Sequence, residues 1–248
     1  MKIAVISDIH GNMQALEAVV ADIKKENCEK IFCLGDLAMA GPQPFETIER
    51  IQELENEFDM TIIQGNTDEM IAKCDNQILH LLEQNVPIMA RALESDIVTV
   101  TDEQKKYLSE LPAQKEIEID DVKILLVHGS PRKNNENIYS NLPDGEIDAM
   151  MEGVTADLVL CGHTHVPCGY QLATRQTVVN VGSIGRPFSE IPQSCYVVLE
   201  INGDEFLITH KLVPYDVKKA SQILEQRGFE GADKLAKMLI CATSRYPQ

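Results

Sequence analysis

The sequence has no long apolar run at its start and no cluster of basic residues, and each absence excludes a class of protein. Residues 1–7 carry neither a basic segment nor a cleavage site, so we predict a cytoplasmic protein without membrane partners. The 22 Lys and Arg are outnumbered by 39 Asp and Glu, and the net charge is −17. Since nucleic-acid backbones are bound by clustered cations, stable nucleic-acid binding is not expected. An anionic substrate would need bound cations.

Evidence for disulfides and for a domain linker is also absent. The seven cysteines are an odd number, and most lie in apolar stretches such as 31–34, where Cys packs as a small hydrophobe. No repeat, low-complexity tract or linker rich in Gly, Ser or Pro divides the chain. With 248 residues and 44% hydrophobic content, the chain can bury one large core. We therefore predict a single domain over residues 1–248.

Apolar strand-like runs alternate with amphipathic helical patterns from the N-terminus, which is typical of β-α-β units in an α/β fold with a largely parallel sheet. The clearest helix follows Asn12, because apolar side chains recur there every three or four residues. A second helix follows Pro44. Residues 69–112 are mostly helical and include a capping box from Thr101 to Gln104. We interpret this stretch as an inserted helical cap.

The second half of the chain is dominated by short strand patterns. Residues 115–127 predict a hairpin, because Ile117 and Ile119 alternate with charged residues and Asp120-Asp121 separates them from the apolar run 122–127. Further β-branched runs are found at 158–160, 177–181, 196–201 and 206–212. A helical pair at about 216–241, broken at Gly228, ends the chain.

Side chains that commonly bind metals follow directly after apolar runs at five places. The five segments are Asp8-Ile9-His10, Gly35-Asp36, Gly65-Asn66-Thr67-Asp68, His128-Gly129 and Gly162-His163-Thr164-His165. In open α/β sheets the carboxyl ends of the strands share one edge, and the loops at that edge form the binding crevice. We therefore expect residues scattered over much of the chain to converge in space.

The set of candidate ligands indicates which metals could bind. Two Asp, one Asn and four His, without thiolate, suit Mn²⁺, Fe or Zn²⁺ better than Ca²⁺ or a structural zinc. Seven ligands exceed what one tetrahedral ion needs. Two ions about 3.5–4 Å apart that share a bridging Asp would use all seven, and would match the two-metal arrangement for in-line phosphoryl displacement.

The order of these motifs, D-x-H, GD, GN, H and GHxH, resembles the calcineurin-like metallophosphoesterase superfamily over about residues 1–187. The segments HGN at 10–12, HGSPR at 128–132 and NVGSIGRP at 180–187 resemble its small prokaryotic phosphodiesterase branch, which includes enzymes acting on dinucleoside polyphosphates. The resemblance implies a four-layer α-β-β-α sandwich of two mixed sheets flanked by helices, with the cap near the mouth of the site.

The resemblance also implies a role for each motif residue. Asp8, His10 and His165 would bind the first ion, Asn66, His128 and His163 the second, and Asp36 would bridge them. A hydroxide held between two divalent ions, Mn²⁺ first among Mn, Fe, Zn and Ni, would attack phosphorus. Asp68 would orient a ligand from behind. We group His10, Asp36, Asn66 and Asp68 as the catalytic residues.

One position departs from the family pattern, in which a His after the Asn is credited with protonating the leaving group. Thr67 occupies that position here, so a strong general acid is missing, and we expect acidic leaving groups such as a nucleotide phosphate or an activated phenol. His10 or solvent could substitute for the missing acid. Asn12, Ser183 and Arg186 are the candidate substrate contacts, because the loop 182–186 offers backbone N–H groups and a guanidinium to phosphate oxygens.

The sequence also contains residues that could suggest two other chemistries. A structural zinc held by Cys161, His163, His165 and Cys168 has plausible spacing but leaves the other four motifs unexplained. A serine hydrolase fails because Val181 stands where the G-x-S-x-G pattern around Ser183 requires Gly.

A function of another class is a metal-binding scaffold with little or no catalysis, as in the retromer subunit of similar fold. Scaffolds of this fold have degraded metal sites, whereas all seven ligand positions are intact here. We therefore predict a metal-dependent phosphoesterase that hydrolyses small phosphorylated substrates: phosphodiesters, nucleotides or dinucleoside polyphosphates.

Overall fold

The computed structural model describes residues 1–139, 141–143, 145–189 and 191–241. Its strands are β1 (Lys2–Ile6), β2 (Lys30–Cys33), β3 (Asp59–Ile62), β4 (Gln114–Ile119), β5 (Val122–Val127), β6 (Leu158–Cys161), β7 (Cys168–Gln171), β8 (Thr177–Asn180), β9 (Ser194–Asn202) and β10 (Glu205–Val213). Its helices are α1 (Met13–Glu26), α2 (Pro44–Glu57), α3 (Asn66–Ala72), α4 (Asn76–Asn85), α5 (Pro87–Thr99), α6 (Asp102–Glu110), α7 (Glu146–Met150), α8 (Val217–Gln226) and α9 (Ala232–Ile240).

The strands form two five-stranded sheets, in the orders β10-β9-β1-β2-β3 and β4-β5-β6-β8-β7. The runs β1-β2-β3 and β5-β6-β8 are parallel, whereas β4, β7, β9 and β10 are antiparallel to their neighbours. Both sheets are therefore mixed, as the family resemblance implies, and the largely parallel sheet expected from β-α-β units is confined to three strands of each.

Within the residues that the structure describes, the hydrophobic core consists of three clusters, one between the two sheets and one between each sheet and its helices. Side chains such as Ile3, Val5, Leu126 and Leu160 from both sheets pack together in one buried cluster. The opposite face of the first sheet packs against the helices, including the buried face of α1. A third cluster packs α7 on the outer face of the second sheet. The result is a helix-sheet-sheet-helix sandwich.

The predicted helices form for the expected local reasons. Asn12 caps α1 by accepting a hydrogen bond from the Ala15 N–H, and the helix ends at Asn27 in the left-handed conformation. Pro44 occupies the first turn of α2, where its missing N–H costs nothing. The capping box between Thr101 and Gln104 at the start of α6 is confirmed.

The structure differs from the sequence-based expectation in some bounds and two elements. The cap helices begin at Asn66, so α3 includes residues placed just before the predicted cap at 69–112. The strand β7 was not predicted because its sequence, Cys-Gly-Tyr-Gln, has no apolar run, and the five-residue helix α7 was not predicted because it is too short for a periodic pattern. Within the described residues, no helix has both the length and the apolar character needed to cross a bilayer.

A core between the two sheets makes a direct prediction for stability. Leu160 is fully buried there, so Leu160→Ala should lower the free energy of unfolding by about 2–5 kcal/mol, from lost transfer free energy and an unfilled cavity. Leu207 on β10 is 60% exposed, and Leu207→Ala should change it by about 0.5 kcal/mol or less. Urea unfolding measures both. Equal losses for the two variants would contradict the two-sheet core.

Candidate metal centre

The parallel strands of both sheets end at one edge, and all five motifs follow these strand ends. The structure brings their side chains into two adjacent groups. One group contains Asp8, His10 and His165, the other contains Asp36, His128 and His163, and the candidate ligand atoms within each group lie within 4.8 Å of one another. Asn66 joins the second group, because its Oδ1 is 3.1 Å from His128 Nε2. The predicted convergence of seven side chains is therefore present.

The ligand-bearing loops have an unusual backbone conformation. Five of the seven residues have positive φ angles: Asp8 (54°), His10 (48°), Asp36 (56°), His163 (66°) and His165 (62°). This region is sparsely populated by residues with a Cβ, and it persists only where the surroundings fix it. Backbone hydrogen bonds between loops provide part of that support, with Asp8 N–H donating to Gly35 O at 3.0 Å and His10 N–H to Asp36 O at 2.9 Å.

Three imidazoles are held in place by backbone carbonyls. His10 Nδ1 lies 2.8 Å from Met39 O, His128 Nδ1 lies 2.7 Å from Leu34 O, and His165 Nδ1 lies 2.7 Å from Arg186 O. A carbonyl oxygen can only accept, so each Nδ1 carries the proton. Each Nε2 therefore points into the site as the metal-binding nitrogen, which is the usual orientation of a histidine ligand.

The inward-facing atoms lack enough hydrogen-bond donors. His10 Nε2 and His165 Nε2 are 3.1 Å apart, and neither can donate while both rings are neutral. Asp8 Oδ1 is buried without a hydrogen-bond partner among the described residues, and lies 3.2 Å from His165 Nε2. Buried acceptors that face one another are costly unless a cation or a proton lies between them. This donor set fits divalent metal ions.

Asp36 lies between the two groups. Its Oδ2 is 3.6 Å from His10 Nε2 and 3.3 Å from His128 Nε2, so one carboxylate oxygen reaches both sets of ligands. Its Oδ1 accepts a hydrogen bond from Thr67 N–H at 2.9 Å, which fixes the carboxylate. A Cβ at Gly65 would lie 2.1 Å from that Oδ1, so residue 65 must be glycine for Asp36 to sit here.

Burial and mutual charges shift the titration of these groups. Burial alone would raise the pKa of Asp8, but the facing His165 and His128 lower it to about 2. Burial, reinforced by nearby His165, lowers the pKa of His10 to about 3. Burial would also lower the pKa of His128, but the Asp36 carboxylate outweighs it and raises that pKa to about 10. In the metal-free protein, a proton on His128 offsets part of the carboxylate charge.

Asp68 is a positioning residue in the structure. Its fully buried carboxylate accepts hydrogen bonds from Asp36 N–H and Leu37 N–H, each at 2.8 Å, and from Gly65 N–H at 2.9 Å. Burial and the Asp36 charge raise its pKa to about 7, against the effect of the backbone amides. Asp68 therefore fixes the backbone around Asp36. Its grouping with the catalytic residues stays a prediction.

The three candidate substrate contacts lie in different environments. Asn12 and Ser183 are fully buried and bind backbone atoms, Asn12 Nδ2 donating to Gly185 O at 2.9 Å and Ser183 Oγ to Asp8 O at 2.8 Å. Arg186 is partly exposed, and its Nη1 lies 4.0 Å from Met89 Sδ on α5 of the cap. Of the three, Arg186 is the one with a partly exposed side chain, and its charge contributes to the lowered pKa of His10. Substrate contact stays a prediction for all of them.

Two residues near the site were missed by sequence reasoning. Asn180, at the end of β8, donates through Nδ2 to Gly162 O at 2.5 Å and to Thr164 Oγ1 at 3.0 Å, which braces the loop carrying His163 and His165. The ring of Phe188 stacks on His165, with centroids 5.1 Å apart and an interplanar angle of 12°. Asn180 is the first residue of the NVGSIGRP segment at 180–187 but was given no role there, and no pattern indicated Phe188.

The alternative zinc site is not formed. Cys161 and Cys168 both pair with Asn180, from opposite sides of β8, so their strands are two spacings or about 10 Å apart. Cys161 is fully buried as a packed thiol. Within the described part of the chain, neither group of candidate metal ligands includes a cysteine.

Comparison with known proteins shows the family of the chain. Residues 1–204 match the calcineurin-like phosphoesterase superfamily domain. An uncharacterized protein of Methanocaldococcus jannaschii, MJ0912, is 31% identical over 233 residues, which cover 88% of this chain and 89% of that protein.

Solved structures share the fold. The hypothetical protein PH1004 from Pyrococcus horikoshii aligns with a TM-score of 0.86 and 24% identity, covering 97% of this chain and 98% of that one. A metallophosphoesterase from Sphaerobacter thermophilus aligns with a TM-score of 0.74 and 24% identity, covering 98% and 99% of the two chains. The two-sheet sandwich is therefore common to all three.

The protonation of His128 predicts that metal affinity rises with pH. With a pKa of about 10, His128 must lose a proton when a cation binds at about pH 7, whereas His10 and His163, with pKa values of about 3 and 4, hold none there. The apparent Mn²⁺ affinity should rise about tenfold per pH unit between about pH 6 and pH 9. Calorimetry in buffers of different ionisation enthalpy should show a net release of protons on binding. A pH-independent affinity would contradict this assignment.

Proposed function

This chain belongs to the calcineurin-like phosphoesterase superfamily, and we propose that it is a hydrolase of phosphate esters or anhydrides that works with two divalent cations. The observation that carries the proposal is the pair of adjacent ligand groups with Asp36 between them. Mn²⁺ is the first candidate metal, with Fe, Zn and Ni as substitutes, because carboxylate, amide and imidazole ligands suit all of them.

When bound, two such cations lower the pKa of water enough to supply hydroxide near neutral pH, and neutralise charge on the phosphoryl oxygens. The chain's own residues provide a rigid, buried frame. Met39 O, Leu34 O and Arg186 O fix three imidazoles, and Asp68 fixes the backbone of Asp36. Since the groups are already oriented, little reorganisation is needed during reaction, which is the main source of electrostatic catalysis.

Arg186 is the proposed substrate contact. A guanidinium matches the geometry of phosphate oxygens, and a positive group here would offset the repulsion that an anionic substrate meets from a chain of net charge −17. Asn12 and Ser183 would support this contact by holding the loop 182–186 in place. We propose phosphodiesters, nucleotides or dinucleoside polyphosphates as the substrate class.

Thr67 restricts the leaving group. Its hydroxyl oxygen is buried and has no hydrogen-bond partner among the described residues, and its N–H binds Asp36 directly beside the site. An aliphatic hydroxyl does not release a proton near neutral pH, so it cannot act as an effective general acid. A substrate whose leaving group is stable as an anion fits this environment, as with a nucleotide phosphate released from an anhydride.

A cytoplasmic location is part of the proposal. All seven cysteines are unpaired, and those at 28, 33, 161 and 195 are buried thiols. Unpaired thiols in this number fit a reducing compartment, where small phosphorylated metabolites are also found.

The first test is Mn²⁺-dependent hydrolysis of bis(p-nitrophenyl) phosphate, p-nitrophenyl phosphate and diadenosine tetraphosphate. Asp36→Asn should reduce both metal occupancy and turnover, the latter by more than about 100-fold, because the carboxylate shared by both ligand groups is lost. Asp121→Asn, an exposed change of the same type in the β4–β5 turn, should leave both unchanged. Wild-type turnover in Asp36→Asn would contradict the bridging role, and a metal-loaded protein without turnover would favour the scaffold function.

The second test concerns the missing acid. Thr67→His should raise turnover of an alkyl phosphate ester relative to the p-nitrophenyl ester by at least about tenfold, because the imidazole can protonate a poor leaving group. Thr67→Asn is the matched control, because the Asn side chain is polar but its amide is too weak an acid to protonate an alkoxide leaving group. Wild-type protein that hydrolyses alkyl and p-nitrophenyl esters equally fast would contradict the proposed preference for acidic leaving groups.

A further inference from the structure

The loop from Leu37 to Gly41, which follows Asp36, determines where His10 lies. Met39 O accepts the hydrogen bond of His10 Nδ1 at 2.8 Å, and Leu37 O accepts one from Gly11 N–H at 2.9 Å. A Cβ on Gly41 would come within 1.5 Å of His10 O, so the loop and the His10 backbone are in close contact. Any displacement of this loop would therefore move the imidazole.

The loop itself has a strained conformation. Ala40 has a φ of 65°, although it carries a Cβ that disfavours the left-handed region. Such a residue keeps this conformation only when its neighbours hold it there. Two groups outside the loop do so: Asp96 Oδ2 accepts from Ala40 N–H at 2.8 Å, and Arg227 Nη1 donates to Gly41 O at 2.8 Å.

Asp96 and Arg227 also bind each other. Arg227 Nη1 lies 2.7 Å from Asp96 Oδ1, and Arg227 Nη2 donates to Ser95 Oγ at 2.8 Å. The Asp96 side chain is fully buried and that of Arg227 is 10% exposed. Asp96 belongs to α5 of the cap, whereas Arg227 follows α8 near the C-terminus. The pair thus joins two distant parts of the chain at the loop that orients His10.

Stability alone is a weak reason for such a pair, because the desolvation of two charges largely cancels their attraction. A buried ion pair does fix geometry, since a charge that moves from its partner is left uncompensated. We propose that Asp96 and Arg227 form a positioning pair, which holds the loop 37–41 so that the His10 imidazole is fixed for metal binding. Among the described residues, the hydrogen bonds and ion pairs of Asp96 and Arg227 are to each other, to the loop and to Ser95 rather than to the ligand groups. The proposal rests on the proposed function only in taking His10 to be a metal ligand.

The double variant Asp96→Asn/Arg227→Gln removes both charges and leaves polar groups of similar size, so neither charge is left buried alone. In the metal-free protein, NMR should show faster exchange of the His10 Nδ1–H with water. The His128 Nδ1–H, which binds Leu34 O outside this loop, should be unchanged and is the internal reference. Mn²⁺ affinity of the group containing Asp8, His10 and His165 should fall about tenfold to a hundredfold, as for other residues that orient a ligand.

Two single variants complete the test. Arg227→Lys keeps the charge and should recover most of the Mn²⁺ affinity. Glu94→Gln breaks the more exposed pair with Arg91 on the same helix and should change neither readout. Unchanged His10 exchange in the double variant would overturn the proposal, as would equal loosening of His10 and His128, which would indicate general destabilisation. A wild-type protein that binds no divalent cation would refute the proposed function, while the metal-free NMR readout would still decide the positioning role.

Discussion

Two carboxylates, Asp8 and Asp36, are buried almost completely beside inward-facing imidazoles, and the rest of the site follows from this constraint. Burying two like charges side by side is costly unless cations compensate them. Backbone carbonyl oxygens accept hydrogen bonds from Nδ1 of three histidines and prevent those rings from rotating out of the site. The arrangement that makes the metal-free site electrostatically unfavourable therefore also suits it to hold cations.

The fold supplies this constraint through close approach of loops at one sheet edge. A Cβ at Gly35 would come within 2.2 Å of Gly65 N, so the loops after β2 and β3 can meet only because residue 35 is glycine. A Cβ at Gly162 would come within 2.1 Å of Ser7 Oγ, so the same holds for the loops after β6 and β1. Positive φ angles at five of the ligand residues store strain that the surrounding hydrogen bonds must hold. Asp68 provides such support under Asp36.

Much of this arrangement could be predicted from sequence, because the ligand residues directly follow apolar runs, and strand ends converge whatever their order. The buried face of α1 and the capping box of α6 could also be predicted, because both depend on residues that are close together in the sequence. The supporting residues were not predictable: Asn180, Asp96 and Arg227 act on loops far away in the chain, and no spacing rule reports such contacts. Asn12 and Ser183 were identified by their place in a motif, but side-chain direction is set by tertiary packing, which turned both towards the backbone.

The most direct test of a paired metal centre is anomalous diffraction from crystals of the protein loaded with Mn²⁺. We expect two peaks about 3.5–4 Å apart, one among Asp8, His10 and His165 and the other among Asn66, His128 and His163, with Asp36 in contact with both. A single peak at full loading, or peaks away from these side chains, would contradict this expectation.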